Sequence, residues 1–231
     1  MTARLPDWIP TDCEEFAADH TLRDVRLPDA PAWLPISDGL LELRVIELSR
    51  ETGRLVAEIR TSEAEARLRG CRGSELYVRQ GTLTSAEIKL SRGGYLRLPP
   101  EADHDDEIMI GTDALITVAM GQISVDDTEL RMIDTTEDSA WFNGPVDGVE
   151  VLPLHGHGTA NVMLVRWEAT AAFSPNIDPA GEEVFVITGA LHDSTGTYAA
   201  GSWIRNPLPA WQSWAGTPGT LVWYKSGHFP D

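Results

Sequence analysis

From Leu40 onward, apolar and polar side chains alternate in short runs separated by turns. The runs LELRVIELS, RLVAEIRTS, SELYVRQG, AEIKLS, GYLRLPP, EIMIGT and ALITVAMG fill residues 41–121, and Glu51-Thr52-Gly53 turns the first run into the second. A second set follows: VEVLPL, NVMLVRWEA, EEVFVITGAL, GTYAAGSWIR and TLVWYKSGH. Alternation of period two, broken by turns about every eight to twelve residues, predicts an all-β sandwich or barrel. No long segment of period 3.6 competes; Ser62–Leu68 (SEAEARL) reads as a short helix or a charged loop. Residues 1–37 carry prolines at 6, 10, 28, 31 and 35 and predict an extended arm, with one helical turn around Glu14–Ala18, packed along a sheet.

The two sets of runs are related. At an offset of 108 residues Glu75, Val78, Gly81, Gly93, Arg97 and Pro99 recur as Glu183, Val186, Gly189, Gly201, Arg205 and Pro207. Tyr77/Phe185, Leu83/Leu191, Tyr95/Trp203 and Leu96/Ile204 are conservative partners at the same spacing. A repeat of this length points to one duplicated β-rich unit. The organisation expected is an arm at 1–37, a first barrel at 38–121, an acidic linker punctuated by Gly and Pro at 122–146, and a second barrel at 147–231.

Composition narrows the partners. A formal net charge of −18 argues against a nucleic-acid or anionic-membrane surface, because phosphate recognition needs clustered cations. Lysine occurs only at Lys89 and Lys225. No apolar run is long enough to span a bilayer and the N-terminus has no signal-peptide pattern, so a cytoplasmic location is expected. Cys13 and Cys71 are too far apart in sequence for a metal-type pair and read as reduced thiols.

The chemistry-bearing spacing lies in the second unit. Asn176-x-Asp178, three residues, Glu182, six residues, Gly189 is followed by Gly201, five residues, Pro207-x-Pro209, two residues, Gln212. These spacings resemble the two motifs of cupins, small jelly-roll-type β-barrels holding a metal or ligand in the mouth between two sheets. The phrases VEVLPLH, LVRWEA, GEEVFVITGAL, GTYAAGSWIRNP and VWYKSGHF resemble the cupin domain of ChrR-type anti-sigma factors, and are also similar to cupins of the acetylacetone-cleaving dioxygenase type. The fold so implied is two tandem cupin barrels, a bicupin. The resemblance implies a divalent ion, zinc in sensors and iron in oxygenases, held at 176, 178, 182 and 212. Three histidines of the family pattern are replaced here by Asn176, Asp178 and Gln212, leaving an all-oxygen set ill suited to iron or zinc. The expectation is therefore a degenerate metal site without cofactor; the alternative is a retained divalent ion such as iron, zinc or manganese. In the first unit Leu68, Gly70 and Ser74 stand at the ligand positions, and His104, with Glu75 nearby, marks a vestigial site.

His155, His157 and His192 lie beside glycines or in polar turns and are expected at loops or the surface. Trp211 and Trp214 bracket Gln212. They read equally as core or as a stacking surface for a ligand whose polar groups Asn176, Asp178, Glu182 and Gln212 would fix. Trp203 and Trp223 read as core. The leading functional expectation is a small-molecule-binding bicupin, open to a metal-independent isomerase, cyclase or lyase with Glu182 as general base. The alternatives are a metal-dependent dioxygenase cleaving a small ketone or diketone, and a ChrR-like ligand or stress sensor without an anti-sigma domain. The resemblance implies that a sigma factor is gripped by a separate zinc-binding helical domain with His and paired Cys ligands. Residues 1–37 offer only His20 and Cys13, so a sigma-factor partner is not expected. A homodimer paired through sheet edges stays open.

Overall fold

A computed structural model of the chain describes residues 5–29, 31–101, 107–136, 141–173, 181–207 and 213–229. Among them are twenty-two strands and one turn of 3-10 helix, Ser37–Gly39. Numbered along the chain, the first eleven strands are β1 (Asp24–Arg26), β2 (Leu34–Ile36), β3 (Leu41–Ser49), β4 (Arg54–Arg60), β5 (Ala66–Arg69), β6 (Ser74–Gln80), β7 (Thr82–Thr84), β8 (Lys89–Ser91), β9 (Gly94–Leu98), β10 (Glu107–Ile110) and β11 (Leu115–Met120). The second eleven are β12 (Arg131–Asp134), β13 (Phe142–Asn143), β14 (Val149–His157), β15 (Ala160–Trp167), β16 (Ala171–Phe173), β17 (Glu182–Thr188), β18 (Ala190–His192), β19 (Thr197–Ala199), β20 (Trp203–Asn206), β21 (Trp214–Gly216) and β22 (Leu221–Ser226).

The chain divides into two compact units, one of Met1–Ala18 and Pro31–Glu137, the other of Asp19–Ala30 and Asp138–Asp231. Each unit holds a seven-stranded and a four-stranded antiparallel sheet. The orders are β12-β9-β6-β11-β4-β3-β2 and β5-β10-β7-β8 in the first unit, and β1-β20-β17-β22-β15-β14-β13 and β16-β21-β18-β19 in the second. Every strand of the second unit stands eleven numbers after its counterpart, except at one edge, where β12 completes the first unit and β1 the second. The leading strand of each repeat is thus built into the other unit. A buried arginine holds it in both cases. Arg205 donates to the carbonyls of Asp19 and Leu22, and Arg97 to the Asp127 carboxylate and the Glu129 carbonyl.

The duplication reaches the irregularities of the backbone. The hairpin β3–β4 shifts register between Val45 and Glu47, and β14–β15 between Pro153 and His155, 108 residues later. Gly73, Gly81 and Gly93 have φ of 75°, 76° and 88°, and Gly181, Gly189 and Gly201 have 72°, 72° and 87°.

Three local expectations change. Ser62–Leu68 is neither helix nor simple loop: its second half enters β5, where Ala66 and Leu68 are buried and Arg67 and Arg69 exposed, so strand alternation wins over a charged heptapeptide too short to nucleate a helix. Glu14–Ala18 forms no helical turn; Phe16 pairs with Leu48 as an isolated bridge, its backbone exchanging two hydrogen bonds with that strand. The proline-rich arm contributes β1 and β2 to sheets.

The first unit's interior is almost wholly aliphatic, with Leu41, Leu43, Leu55, Ile59, Val78 and Leu83 sealed from solvent in one cluster. Burying each such side chain contributes about 1.5–3 kcal/mol. Cys13 and Cys71 are buried free thiols in it, and burial pushes the Cys13 thiol up from its ordinary pKa. The other face of the large sheet carries buried charge. Glu58 pairs with both Arg44 and Arg79, and Arg54 with Glu47. Among the described residues no helix is long and apolar enough to cross a membrane.

Candidate functional site

Alternation along β17 turns Glu182, Val184 and Val186 to the interior of the second unit and Glu183 to the opposite face. Glu182 is 1% exposed. Cross-strand register places Asn206 of β20 on one side of it and Ser226 of β22 on the other. A carboxylate taken so far from water is costly unless hydrogen bonds replace its hydration. Three donors do so. Oε1 accepts the Asn206 side-chain amide at 2.8 Å and the Trp214 indole N–H at 3.1 Å, and Oε2 accepts the Tyr224 hydroxyl at 2.6 Å. Hydrogen bonds to a charged group contribute about 1.5–3 kcal/mol each, so the cluster is a rigid feature of the interior.

Aromatic side chains build the wall around it. Trp214, fully buried on β21, meets Tyr198 edge-on with centroids 6.5 Å apart. Trp167 stacks on Phe173 at 5.8 Å and donates its indole N–H to the Ala171 carbonyl. Its ring lies so close to Gly216 that a Cβ there would come within 2.6 Å of it, which fixes β21 against the wall.

Of the residues expected at the site, Glu182 and Trp214 are brought into contact. Asn176, Asp178, Trp211, Gln212 and His104 lie outside the described residues. Glu75 is buried on β6, but Leu76 takes the interior face, so Glu75 points to the opposite side of the sheet, where it accepts the Tyr95 hydroxyl at 2.5 Å. Burial first, and the Glu75 charge second, hold the Tyr95 phenol well above its usual pKa, keeping it a neutral donor.

The histidines need correction. His155 is not at a loop or the surface: Gly156 continues the strand, β14 runs through to His157 with the turn beginning only at Gly158, and His155 is buried at the strand's register shift. His157 ends that strand half-buried. His192 is likewise half-buried on β18, its Nδ1 2.8 Å from the Thr197 hydroxyl. His228 Nε2 lies 3.1 Å from the Glu183 carboxylate. Trp203 and Trp223 are buried, on the face opposite Ile204 and Val222.

A metal at the family position would need lone pairs from Glu182. Both its oxygens already accept N–H or O–H groups, so a metal would compete with three donors for Glu182, and Asn176, Asp178 and Gln212 offer only oxygen donors, a set ill suited to zinc or iron. Among the described residues no group of three His, Cys, Asp or Glu could hold a metal ion. The cluster can present a fixed anionic acceptor beside aromatic faces.

Asn206, Tyr224, Tyr198 and Asp193 were not expected at the site. The offset of 108 would have found most of them: Ser74, Ser85, Leu90 and Leu98 become Glu182, Asp193, Tyr198 and Asn206. Polar groups replacing apolar or small ones at interior positions of a duplicated barrel are a site signal.

The two-barrel architecture is the cupin fold. Residues 129–230 match the family described as the ChrR cupin-like domain. Three solved structures are similar to it. Protein YlbA from E. coli is 15% identical, with 93% of this chain and 94% of that chain covered and a TM-score of 0.66. A bacterial pirin, YhhW from Escherichia coli in complex with nickel(II), is 10% identical over 90% of this chain and 100% of that chain, with a TM-score of 0.61. Quercetin 2,3-dioxygenase from Acinetobacter baumannii is 9% identical over 90% and 79%, with a TM-score of 0.59. No curated protein matches the sequence.

Proposed function

We propose that the second unit is a small-molecule-binding cup in which Glu182 is a fixed hydrogen-bond acceptor for the ligand and not a metal ligand. The observation that carries this is the hold of Asn206, Trp214 and Tyr224 on both oxygens of a buried carboxylate. A polar anchor among Trp214, Tyr198 and Tyr224 has the composition of a small-molecule site, mostly apolar and aromatic with few oriented polar groups. One structural neighbour is named for a small organic substrate, quercetin, which is in keeping with this reading. Binding asks less of Glu182 than catalysis does. As a general base in an isomerase, cyclase or lyase it would receive a substrate proton in competition with three donors already in place.

Two measurements on the purified chain test this. Iron(II), zinc(II) and manganese(II) are titrated separately into wild type and Glu182→Gln by calorimetry, and a panel of aromatic amides, amines and alcohols is screened by thermal shift against both proteins. The expected result is metal affinity indifferent to the substitution, together with compounds that raise the midpoint of wild type more than that of Glu182→Gln. Stoichiometric, tight metal lost in Glu182→Gln would restore the dioxygenase reading. A panel that never distinguishes the two proteins would remove Glu182 from the binding site.

A further inference from the structure

We infer that Arg23, immediately before the first repeat's leading strand, is a positioning residue of this cup, orienting the Asn206 amide so that its N–H faces Glu182. This rests on the reading of Glu182 as the anchor of the site. Asp24–Arg26 pairs with Trp203–Arg205, and Arg205 grips the preceding carbonyls, so the backbone at Arg23 is fixed independently of its side chain. The guanidinium then makes three contacts. Nε donates to Asn206 Oδ1 at 2.8 Å, and one terminal nitrogen donates to Asp193 Oδ2 at 2.7 Å and to the Tyr198 hydroxyl at 2.9 Å.

A side-chain amide can present either end, and its neighbours decide which. Guanidinium offers only donors, so the end facing Arg23 is the oxygen, which leaves Nδ2 for Glu182 Oε1. With Arg23 removed, the amide is free to turn its oxygen toward a carboxylate oxygen, an arrangement that repels. Asp193 is itself pinned, Oδ1 accepting from the Thr195 N–H and hydroxyl, the Gly196 N–H and the Tyr198 hydroxyl. The fork therefore hangs from a rigid anchor on the four-stranded sheet and reaches across to the large one.

The same molecule supplies the control. In the first unit Arg131 opposes Arg97 where Asp24 opposes Arg205 in the second, so the residue standing in the place of Arg23 is the exposed Leu130, and the Arg131 guanidinium pairs with Glu129 at the surface. There the counterparts of Glu182, Asp193, Tyr198 and Asn206 are Ser74, Ser85, Leu90 and Leu98. Only the unit with the buried carboxylate has an arginine at this place beside its leading strand. Arg23 also lies outside the stretch 129–230 that matches the ChrR cupin-like family, so a chain trimmed to that stretch would carry Glu182 without its orienting residue.

The test uses the full chain without ligand, so its failure is separable from failure of the binding reading. The readout is the indole N–H resonance of Trp214, which donates to the same Glu182 oxygen as Asn206 and is assigned by its loss in Trp214→Phe. Arg23→Ala should shift this resonance. In the Asn206→Leu background, which places the first unit's residue at that position, Arg23→Ala should no longer move it. Arg23→Lys keeps a charge opposite Asp193 but lacks the fork, so it should recover thermal stability without recovering the resonance; it also serves as the test variant should Arg23→Ala not fold. A resonance unmoved by either Arg23 variant would overturn the proposal. So would a shift equal in both backgrounds, or stability and resonance recovering together in Arg23→Lys, since those mark an arginine that only ties the strand down.

Discussion

The two units share a backbone down to their register shifts and left-handed glycines, yet their interiors differ in kind. On one chain of strands, the first unit places Ser74, Leu90, Leu98, Ile108 and Val118; at corresponding positions of the sheets, the second places Glu182, Tyr198, Asn206, Trp214 and Tyr224. The first unit's interior gains its stability from aliphatic packing. The second has exchanged part of that packing for a buried carboxylate and its donors, an arrangement that contributes less to stability than an apolar core of equal volume. Such an exchange within one molecule separates what the barrel needs from what a site needs. The glycines, the bulges and the paired arginines Arg97 and Arg205 belong to the barrel; Glu182 and its donors do not.

Moving one piece of the second interior into the first should give the largest effect. Leu98 is 1% exposed in the aliphatic cluster, across from Ser74. Leu98→Asn removes a buried leucine and leaves an amide facing apolar neighbours, and the expected loss is about 3–5 kcal/mol. Urea unfolding of the full chain measures it. A loss under about 1 kcal/mol, the range of surface substitutions, would mean that the first interior tolerates polarity and that the contrast between the units is not energetic.

Where the repeats agree, perturbations should agree too. Gly81 and Gly189 have φ of 76° and 72°, and a Cβ at either would lie 2.7 Å from a backbone Cα, that of Ala114 in one unit and Thr220 in the other. Alanine there meets both the left-handed penalty, about 1–2 kcal/mol, and a backbone that must shift. Gly81→Ala and Gly189→Ala should therefore destabilise by similar amounts, about 2 kcal/mol each. Unequal losses would show that the duplicated turn has taken on a different role in one unit.

The same pairs show how much of the molecule was legible in its sequence. Period-two runs and the match from Glu75 to Pro99 with Glu183 to Pro207 located the strands and the duplication, because burial on one face of a sheet leaves an alternating text. The exchanged leading strands left a fainter trace. Asp19, Leu22 and Arg23 recur as Asp127, Leu130 and Arg131, and Trp33 and Glu42 as Trp141 and Glu150, all at the same offset. These matches lie among prolines and acidic residues that read as arm and linker, and which sheet edge a strand of three or four residues joins is decided by long-range pairing that local pattern does not encode. At the site, motif spacing singled out Glu182 but not Asn206 or Tyr224, because the donors to a buried group come from strands far apart in sequence. Ser62–Leu68 failed for the opposite reason, a local charge pattern overruled by pairing of β5 with β10.

The smallest expected effect concerns pH and sharpens the contrast at Asp193, whose counterpart is Ser85. Burial pushes the Asp193 carboxyl up, but hydrogen bonds from the Thr195 hydroxyl and N–H, the Tyr198 hydroxyl and the Gly196 N–H together outweigh it and hold the pKa below its ordinary value. A carboxyl whose folded pKa is depressed stabilises the fold above the unfolded value, about 3.9 for aspartate, and loses that contribution as pH falls through the folded one. Protonation would also weaken the grip on Arg23, since the pair at 2.7 Å would lose its charge. Stability of wild type and Asp193→Asn, measured by urea unfolding from about pH 7 to about pH 3, should differ most near neutrality and converge on the acid side. Ser85→Ala, the matched change in the first unit, should leave the acid limb unaltered because serine does not titrate there. Parallel curves for wild type and Asp193→Asn would show that Asp193 binds its proton alike in the folded and unfolded chain, and the charge tying Arg23 to the second unit would then carry no pH-dependent share of its stability.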